Sequence, residues 1–320
     1  MTLTISEIAE LSRNVMNEVS RAVVGKQAGL ENIMTALLVP GGHVLLEDYP
    51  GLAKTLVANS FATALGMSFR RIQFTPDLLP GDILGGYVLN RQQNQFVLRQ
   101  GPIFANLILA DEINRASPKT QSALLEAMQE YQVTLEGETH RLPEPFVVIA
   151  TQNPIEYEGT FPLPEAQLDR FIMKISLGYP SPEEEQAILR SRRERKKDPF
   201  ALKAVIDAGT LLAMREGVEE VYLDPDLEKY IVQLVSKTRS HRNVAVGSSP
   251  RGALALLKLS RARAALQGRD YVLPDDIKHF AQAALAHRLI LEPDLWTVKR
   301  AAGDLIQEIV NVLPVPVFKR

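Results

Sequence analysis

The sequence predicts an α/β core built on a parallel five-stranded sheet, followed by an all-α second domain. Five short apolar runs alternate with stretches of helical periodicity, which is the pattern of a parallel sheet covered by helices on both faces. After residues 179–182 the apolar runs stop and the helical periodicity continues. A chain of 320 residues is also near the limit of what one hydrophobic core serves, so a large domain with a smaller one is expected.

The first elements of the chain are predicted to be helices. Apolar residues recur at helical spacing over residues 5–21, and a second helix is expected over 28–38. Further helices are predicted over 54–65 and after the Ser117-Pro118 pair, with the serine as N-cap and the proline in the first turn. The five predicted strands are the apolar runs at 43–48, 70–74, 106–111, 146–150 and 171–175.

Two insertions interrupt this alternation. Residues 76–103 are rich in turn formers and contain two strand-like pieces, at 86–89 and 95–98. Residues 131–142 indicate a β-hairpin that turns at Glu136-Gly137-Glu138. We therefore leave both insertions outside the five-stranded sheet.

The second domain is predicted to follow a boundary near residues 179–185, without further apolar strand runs. Ser249-Pro250 starts a helix that ends near Gly268, and Pro274 starts another. The predicted domains are therefore an α/β core over residues 1–180, and a linker with a helical lid over 181–320.

Composition excludes several classes of protein. The formal net charge is −2, so the chain has no overall basic field for nucleic acid or an anionic membrane. The chain contains no cysteine, which excludes disulfides, thiolate metal sites and cysteine nucleophiles. The absence of cysteine fits a reducing cytosol, and we expect a cytoplasmic location. We also expect no membrane span and no signal peptide. The five histidines are scattered, without metal-ligand spacing.

A partial phosphate-loop motif lies between the first predicted strand and the helix after it. The general pattern is G-x-x-x-x-G-K-[ST]. Lys54 and Thr55 match this pattern, whereas Asp48 and Ala53 stand where it has glycine. Taken alone, the segment fits a phosphate site or a tight turn before a solvated helix start.

The chemistry of a phosphate site remains feasible in this loop. Backbone N–H groups at a helix N-terminus attract phosphate, Lys54 would reach the β- and γ-phosphates of a nucleotide, and Thr55 would ligate Mg²⁺. Asp48 would place a carboxylate near the phosphates, which bears on the affinity for a nucleotide. The backbone that would cradle the phosphates comes from Pro50, Gly51, Leu52 and Ala53.

The third apolar run ends in two adjacent carboxylates, Asp111 and Glu112. A nucleotide hydrolase needs such a pair, because Asp111 would hold Mg²⁺ through water and Glu112 would polarise the attacking water. The alternative is a strand that runs into an acidic, solvated loop. Since Lys54 follows another parallel strand, these side chains would share one sheet edge, where ligands bind in open α/β sheets.

Three polar residues further along are candidates for the same site. Asn153 follows the fourth run and could orient the attacking water, although an Asn-Pro pair also makes turns. Arg170 could act as an arginine finger on the γ-phosphate, or it could pair with Asp169 at the surface. Arg251 opens a helix of the second domain, where a solvated arginine is equally typical.

Together, these segments resemble the AAA+ ATPases and, within them, the MoxR family. The resemblance covers nearly the whole chain and is carried by residues 45–55, 110–116, 150–154 and 164–171. Its most specific parts are the Asp-Glu-Ile-Asn-Arg-Ala and Glu-Ala-Gln-Leu-Asp-Arg-Phe stretches. The resemblance implies an AAA+ αβα P-loop domain followed by an all-α lid.

The resemblance also implies roles for the residues of the loop and the sheet edge. Lys54 and Thr55 match the Walker A motif, while Asp111 and Glu112 match Walker B. Asn153 matches sensor 1. The implied cofactors are ATP and Mg²⁺.

Four further residues acquire roles from the same resemblance. Arg170 matches the arginine finger and Arg251 matches sensor 2. Val24 and Gly25 lie where the family's backbone lines the adenine pocket. The two insertions resemble the helix-2 insert and the hairpin before sensor 1, which in related proteins face the ring pore or a client.

The leading hypothesis is a homo-oligomeric, hexameric ATPase that remodels, activates or matures a partner protein, as a chaperone does. Relatives in the family often act with proteins that carry a von Willebrand factor A domain. This sequence has no Asp-x-Ser-x-Ser metal site of such a domain, so the partner would be a separate chain. The near-zero net charge favours a protein client over a polyanion.

Two other hypotheses stay open. A nucleic-acid motor is suggested by the basic run over 190–197, which lacks the interleaved aromatic residues of single-strand binders and is also typical of a solvated helix end. A nucleotide-switched scaffold with little turnover is suggested by Asp48 alone. Stimulation of the ATPase rate by DNA or RNA would identify the first, and a turnover assay would identify the second.

Overall fold

The computed structural model describes residues 3–154, 159–198, 200–295, 298 and 301–316. The strands of this part are β1 (Val44–Glu47), β2 (Phe69–Gln73), β3 (Gly85–Asn90), β4 (Gln95–Gln100), β5 (Leu107–Asp111), β6 (Gln132–Leu135), β7 (Glu138–Arg141), β8 (Val147–Gln152), β9 (Met173–Ile175), β10 (Val244–Val246) and β11 (Ile290–Leu291). The helices are α1 (Ile5–Ser20), α2 (Gln27–Leu37), α3 (Lys54–Ala64), α4 (Pro80–Leu84), α5 (Pro118–Glu130), α6 (Glu165–Leu168), α7 (Pro182–Arg195), α8 (Ala208–Glu219), α9 (Pro225–Arg239), α10 (Pro250–Leu266), α11 (Pro274–Leu285) and α12 (Ala301–Val312). Single 3₁₀ turns lie at Ile113–Arg115, Ala286–Arg288 and Pro293–Leu295.

One parallel sheet forms the core, with the strand order β2-β5-β8-β1-β9. The predicted α/β core with a five-stranded parallel sheet is therefore confirmed. β5 and β8 lie inside the sheet and are buried along almost their whole length, which is why their sequences are continuous apolar runs and do not alternate. Because the strands are parallel, the carboxyl ends of β1, β5 and β8 meet at one edge.

Alternate side chains of the sheet enter two hydrophobic clusters. Val44 and Leu46 of β1 belong to the cluster that includes α1, α2 and α3, whereas Leu45 belongs to the cluster formed with α4 and α5. The first cluster continues into the second half of the chain through residues such as Leu259 and Phe280. The sheet and the helices of the second half therefore bury part of their apolar surface against each other.

Local sequence signals account for where the first helices begin. Thr4 and Glu7 form a capping box at α1, in which the Glu7 N–H donates to Thr4 Oγ1 at 3.3 Å and the Thr4 N–H donates to Glu7 Oε2 at 2.8 Å. Ser117 caps α5 by accepting the Thr120 N–H at 3.4 Å, and Pro118 occupies the first position, as predicted.

Both insertions form antiparallel hairpins outside the sheet. β3 pairs with β4 and β6 pairs with β7, as the strand-like pieces predict. The second hairpin turns at Glu136 and Gly137, whose φ angles of 49° and 84° are those of a tight hairpin turn with two left-handed residues. The first insertion also contains the short helix α4.

The second half of the chain is helical, as predicted, with one local difference. β10 and β11 pair antiparallel, although no strand was expected there. These strands span three and two residues, which is too short for an alternating pattern to show in the sequence. No helix in the described ranges is long and apolar enough to cross a membrane. The domain boundary near 179–185 stays a prediction.

Candidate functional site

The loop between β1 and α3 presents open backbone at the carboxyl edge of the sheet. Gly51 has a φ of 81°, and no atom lies within 4 Å of the place where a Cβ would stand. Ala53 has φ 60° and ψ 19°, which is the left-handed conformation that glycine adopts most easily. Ala53 therefore has a conformation that favours glycine at a position where the phosphate-loop pattern has glycine, and α3 begins at Lys54.

Lys54 folds back over this loop. Its Nζ donates to the backbone oxygen of Asp48 at 2.7 Å and to that of Tyr49 at 3.3 Å. Burial lowers the pKa of Lys54, while the neighbouring carboxylates oppose that shift. Lys54 is thus a partly desolvated cation, and partial desolvation strengthens its attraction to an incoming anion.

Thr151 joins the two carboxylate residues at the end of β5. Its Oγ1 donates to Asp111 Oδ1 at 2.6 Å and accepts the Glu112 N–H at 2.8 Å, and Thr151 is fully buried. Glu112 has a φ of 56° and a ψ of 48°, a left-handed conformation that costs a residue other than glycine about 1–3 kcal/mol. The Thr151 hydroxyl therefore helps to hold Glu112 in this strained conformation.

Two side chains of β2, which sequence reasoning missed, complete the network. Arg71 donates to Asp111 Oδ2 from Nε at 3.0 Å and from Nη2 at 2.6 Å. The same Nη2 donates to Gln73 Oε1 at 2.6 Å, and Gln73 Nε2 donates to Glu112 Oε2 at 2.9 Å. The sequence has no local signal for them, because their contacts depend on the register of β2 against β5, which pairs Gln73 with Asp111.

The carboxylate of Asp48 is bound by the segment after β9. Its Oδ1 accepts the Ser176 hydroxyl at 2.6 Å and the Gly178 N–H at 3.0 Å, and its Oδ2 accepts the Leu177 N–H at 2.6 Å. Asp48 is only 4% exposed. The expectation that this carboxylate faces the phosphates therefore needs correction, because both of its oxygens are engaged with residues 176–178.

The predicted residues of the loop and of the sheet edge line one cavity of about 470 Å³. Its donor set fits a nucleotide with a divalent cation, because backbone N–H groups and lysine suit phosphate, whereas hydroxyl and carboxylate oxygens are the ligands that Mg²⁺ takes. The predicted residues that line it are Pro50, Gly51, Leu52, Ala53, Lys54, Thr55, Asp111, Glu112 and Asn153, and Arg71 joins them.

The two predicted arginines lie elsewhere, at the amino ends of the strands. Arg170 precedes β9, and the Ile172 N–H donates to the backbone oxygen of His43, which precedes β1. Arg170 Nη1 donates to the backbone oxygen of Leu125. Since Lys54 follows the other end of β1, the four residues of this strand, roughly 13 Å in length, separate Arg170 from the phosphate loop.

Arg251 lies beside Arg170 and also apart from the phosphate loop. Its Nη1 is 3.6 Å from Asp169 Oδ2, and Arg288 Nε donates to Asp169 Oδ1 at 2.7 Å. Arg170, Arg251 and Arg288 line a second cavity of about 390 Å³. The structure therefore groups the two predicted arginines with each other and not with the carboxylates.

Val24 and Gly25 do not line the cavity of the phosphate loop. Val24 is half-buried. Gly25 has a φ of 71°, in the left-handed region that favours glycine. A Cβ at this position would lie 2.2 Å from the carboxyl carbon of Glu184, so the Glu184 side chain would have to shift for any larger residue. The next residue, Lys26, donates to the backbone oxygen of Gly178, which ties this segment to the residues that bind Asp48.

The basic run ends α7 and contacts the chain that follows it. Arg192 Nε is 2.5 Å from Asp198 Oδ1. The Arg195 guanidinium lies 3.6 Å from the centre of the Phe200 ring. These are the contacts of a helix end packed on its own linker.

Comparison with known proteins agrees with this fold. The profile of the "ATPase family associated with various cellular activities (AAA)" matches residues 43–173, and that of the "AAA lid domain" matches residues 236–309. Chaperone MoxR1 of Mycobacterium tuberculosis is 42% identical, over 97% of this chain and 84% of its own. Protein MoxR of Methylorubrum extorquens is 31% identical, over 93% of each chain. A crystal structure from Cytophaga hutchinsonii, described as a candidate ATPase, is 40% identical with a TM-score of 0.90, over 97% of this chain and 96% of that one.

Fold, loop and carboxylates together define an AAA+ ATPase domain with its helical lid. Within this class, the identity to MoxR proteins over nearly the full chain is decisive. The chain belongs to the MoxR family, and nucleotide binding follows from that membership.

Proposed function

We propose that the chain hydrolyses ATP to ADP and phosphate in the cavity at the carboxyl edge of the sheet. Lys54 and the open backbone around Gly51 would hold the phosphates there. Mg²⁺, held by Thr55 and through water by Asp111, would supply neutralisation of the phosphate charge when bound. The observation that carries this proposal is the convergence of these groups on one cavity with Glu112.

Glu112 would polarise the attacking water and Asn153 would orient it. The Glu112 carboxylate accepts from Gln73 at 2.9 Å and from Arg115 Nη1 at 3.0 Å. These two donors fix the carboxylate before any substrate arrives, which reduces the reorganisation that the reaction needs. Thr151 fixes the Glu112 backbone by its own hydrogen bond.

We further propose that each ATP is shared between two copies of the chain in a ring. Arg170 lies at the amino ends of the strands, separated by the length of β1 from the loop that it would serve. An arginine finger in this position reaches a phosphate only if that phosphate belongs to a neighbouring copy. Arg251, beside Asp169, would approach the same neighbouring site.

A mixing experiment tests the shared site. Arg170→Ala and Lys54→Ala should each lower turnover by about 10³–10⁵-fold, which is the typical value of a finger, and Arg170→Ala should still bind ATP. Mixing the two inactive variants should restore part of the activity, since some interfaces then combine an intact Lys54 with an intact Arg170. If Arg170 acts within its own chain, the mixture should be as inactive as each variant alone. If Arg170→Ala alone retains turnover, Arg170 has no part in the reaction.

The proposed outcome of hydrolysis is remodelling, activation or maturation of a partner protein, in the cytoplasm that the sequence predicts. The β3–β4 hairpin supports a protein partner, because Leu89 is 48% and Phe96 is 70% exposed on it, and exposed apolar side chains that lie together mark interaction surfaces. One relative is named a chaperone. A partner with a von Willebrand factor A domain is the leading candidate from the family resemblance.

Capture of the partner tests this part of the proposal. Glu112→Gln with ATP should retain a client that Lys54→Ala does not retain under the same conditions. A second variant, Phe96→Ser in the Glu112→Gln background, should lose the client while its nucleotide binding is unchanged. Equal recovery of every protein by Glu112→Gln and Lys54→Ala would contradict an ATP-driven action on a client.

A further inference from the structure

Arg71 occupies a position in the cavity that no nucleotide-binding motif of the sequence accounts for. It stands in the edge strand β2, its side chain is 48% exposed, and it lines the cavity together with Lys54 and Thr55. The carboxylate that it contacts, on Asp111, is only 11% exposed. A half-exposed cation therefore pairs with a nearly buried carboxylate.

The hydrogen bonds on Asp111 leave little room for a second cation. A carboxylate offers about four lone-pair sites. Thr151 takes one on Oδ1, and the Nε and Nη2 groups of Arg71 take two on Oδ2. Three of these sites are thus filled, and Arg71 fills both of those on Oδ2.

We propose that Arg71 is a resident counter-cation that competes with Mg²⁺ for Asp111. The guanidinium neutralises the carboxylate, and it must release Oδ2 before a hydrated divalent cation can approach. The released guanidinium stays in the cavity, where its planar fork suits a phosphate group. The metal then enters together with a nucleotide, whose phosphates compensate for the displaced guanidinium. This inference rests on the proposed ATP site.

The neighbouring arginine provides a matched control. Arg70 is in the same strand and is exposed, and its Nη1 donates to the backbone oxygen of Phe69 at 3.3 Å. Successive residues of a strand point to opposite faces, so Arg70 carries the same charge without facing Asp111. Removing Arg70 therefore changes the net charge by the same amount as removing Arg71.

The test measures the affinity for a fluorescent, non-hydrolysable ATP analogue in excess Mg²⁺ and in EDTA. The Kd in EDTA divided by the Kd in Mg²⁺ reports how much the metal strengthens nucleotide binding. Arg71→Met should raise this ratio by about threefold to tenfold, the size expected when a charge-assisted hydrogen bond no longer competes. Arg70→Met should leave the ratio unchanged. An unchanged or smaller ratio in Arg71→Met would overturn the inference.

Two further measurements separate the possible failures. In an Asp111→Asn background, Arg71→Met should have no further effect on the ratio, because the contested charge is gone. Arg71→Gln keeps a polar group beside Gln73 and should shift the ratio in the same direction as Arg71→Met. It is used in place of Arg71→Met if Arg71→Met does not fold. If the unaltered chain binds the analogue in neither buffer, the proposed function fails. If the unaltered chain binds the analogue and both Arg71 variants have the same Kd ratio as the unaltered chain, only the proposed role of Arg71 fails.

Discussion

The carboxylate of Asp48 accepts the backbone N–H of Leu177 at 2.6 Å. Asp48 begins the phosphate loop, and Leu177 follows β9, the edge strand that leads towards α7. Gly178 strengthens the link, because its N–H donates to Asp48 and its oxygen accepts from Lys26. The residue that replaces the first glycine of the phosphate-loop pattern thus fixes the loop to the connection between the sheet and the following helices.

Removing this carboxylate should destabilise the fold without improving the affinity for nucleotide. Asp48→Ala and Asp48→Gly leave three donors unsatisfied, so each should lower the free energy of unfolding by about 2–3 kcal/mol. ATP affinity should not rise, since the carboxylate does not face the cavity. Urea unfolding and nucleotide titration check the two statements. Asp275→Ala, at an exposed aspartate, is the control. Tighter ATP binding by the Asp48 variants at unchanged stability would contradict the prediction.

The hydroxyl of Thr151 should matter more than its methyl group. Thr151→Val keeps the shape but removes both hydrogen bonds at the end of β5, so we expect a loss of about 1–3 kcal/mol in unfolding free energy and a clear fall in the hydrolysis rate. Thr151→Ser retains the hydroxyl and should keep most of both. Stability and single-turnover hydrolysis are to be measured on the pair. Equal behaviour of the valine and serine variants would show that the hydroxyl has no part.

Glu112→Gln should separate binding from hydrolysis. The amide cannot polarise water as a carboxylate does, so hydrolysis should fall by about 10²–10⁴-fold. The side chain keeps its size and one oxygen to accept from Arg115, so ATP should stay bound. Labelled ATP retained through gel filtration, together with single-turnover kinetics, provides the measurement. Hydrolysis at the normal rate would exclude Glu112 as the residue that polarises the water.

His43 should make the stability depend on pH. It is buried between the Val148 N–H, which donates to Nδ1 at 3.0 Å, and the Met128 oxygen, 3.1 Å from Nε2, and burial lowers the pKa of His43 to about 4. In the unfolded chain His43 has a pKa near 6.5, so below that pH the unfolded chain binds a proton at His43 that the folded chain does not bind. The free energy of unfolding therefore falls as the pH decreases from about 6.5 towards 4.

Replacing His43 should flatten this dependence. Between pH 7 and pH 5 the unaltered chain should lose about 2 kcal/mol more unfolding free energy than His43→Gln does. Denaturant unfolding at the two pH values measures the difference. The comparison concerns the slope, so a constant loss of stability in the variant does not affect it, whereas equal slopes would contradict the prediction.

The sequence predicted what depends on local pattern and on the parallel direction of the strands. Lys54 and Asp111 each follow an apolar run, and parallel strands bring such positions to one edge. Arg71 and Gln73 were out of reach, because their contacts depend on the register of β2 against β5. The role of Asp48 was out of reach as well, since its partner Ser176 is 128 positions away.

If Arg170 serves the ATP of a neighbouring copy, as we propose, its placement at the opposite end of the strands from Lys54 has a consequence for stoichiometry. An open row of n copies, each offering an arginine to the next, completes only n − 1 catalytic centres, whereas a closed ring completes n. Heterologous contacts of this kind close into rings when the rotation between neighbours permits it. An open dimer would hydrolyse ATP at half the rate per chain of a closed ring. The specific activity would therefore show whether the assembly is closed.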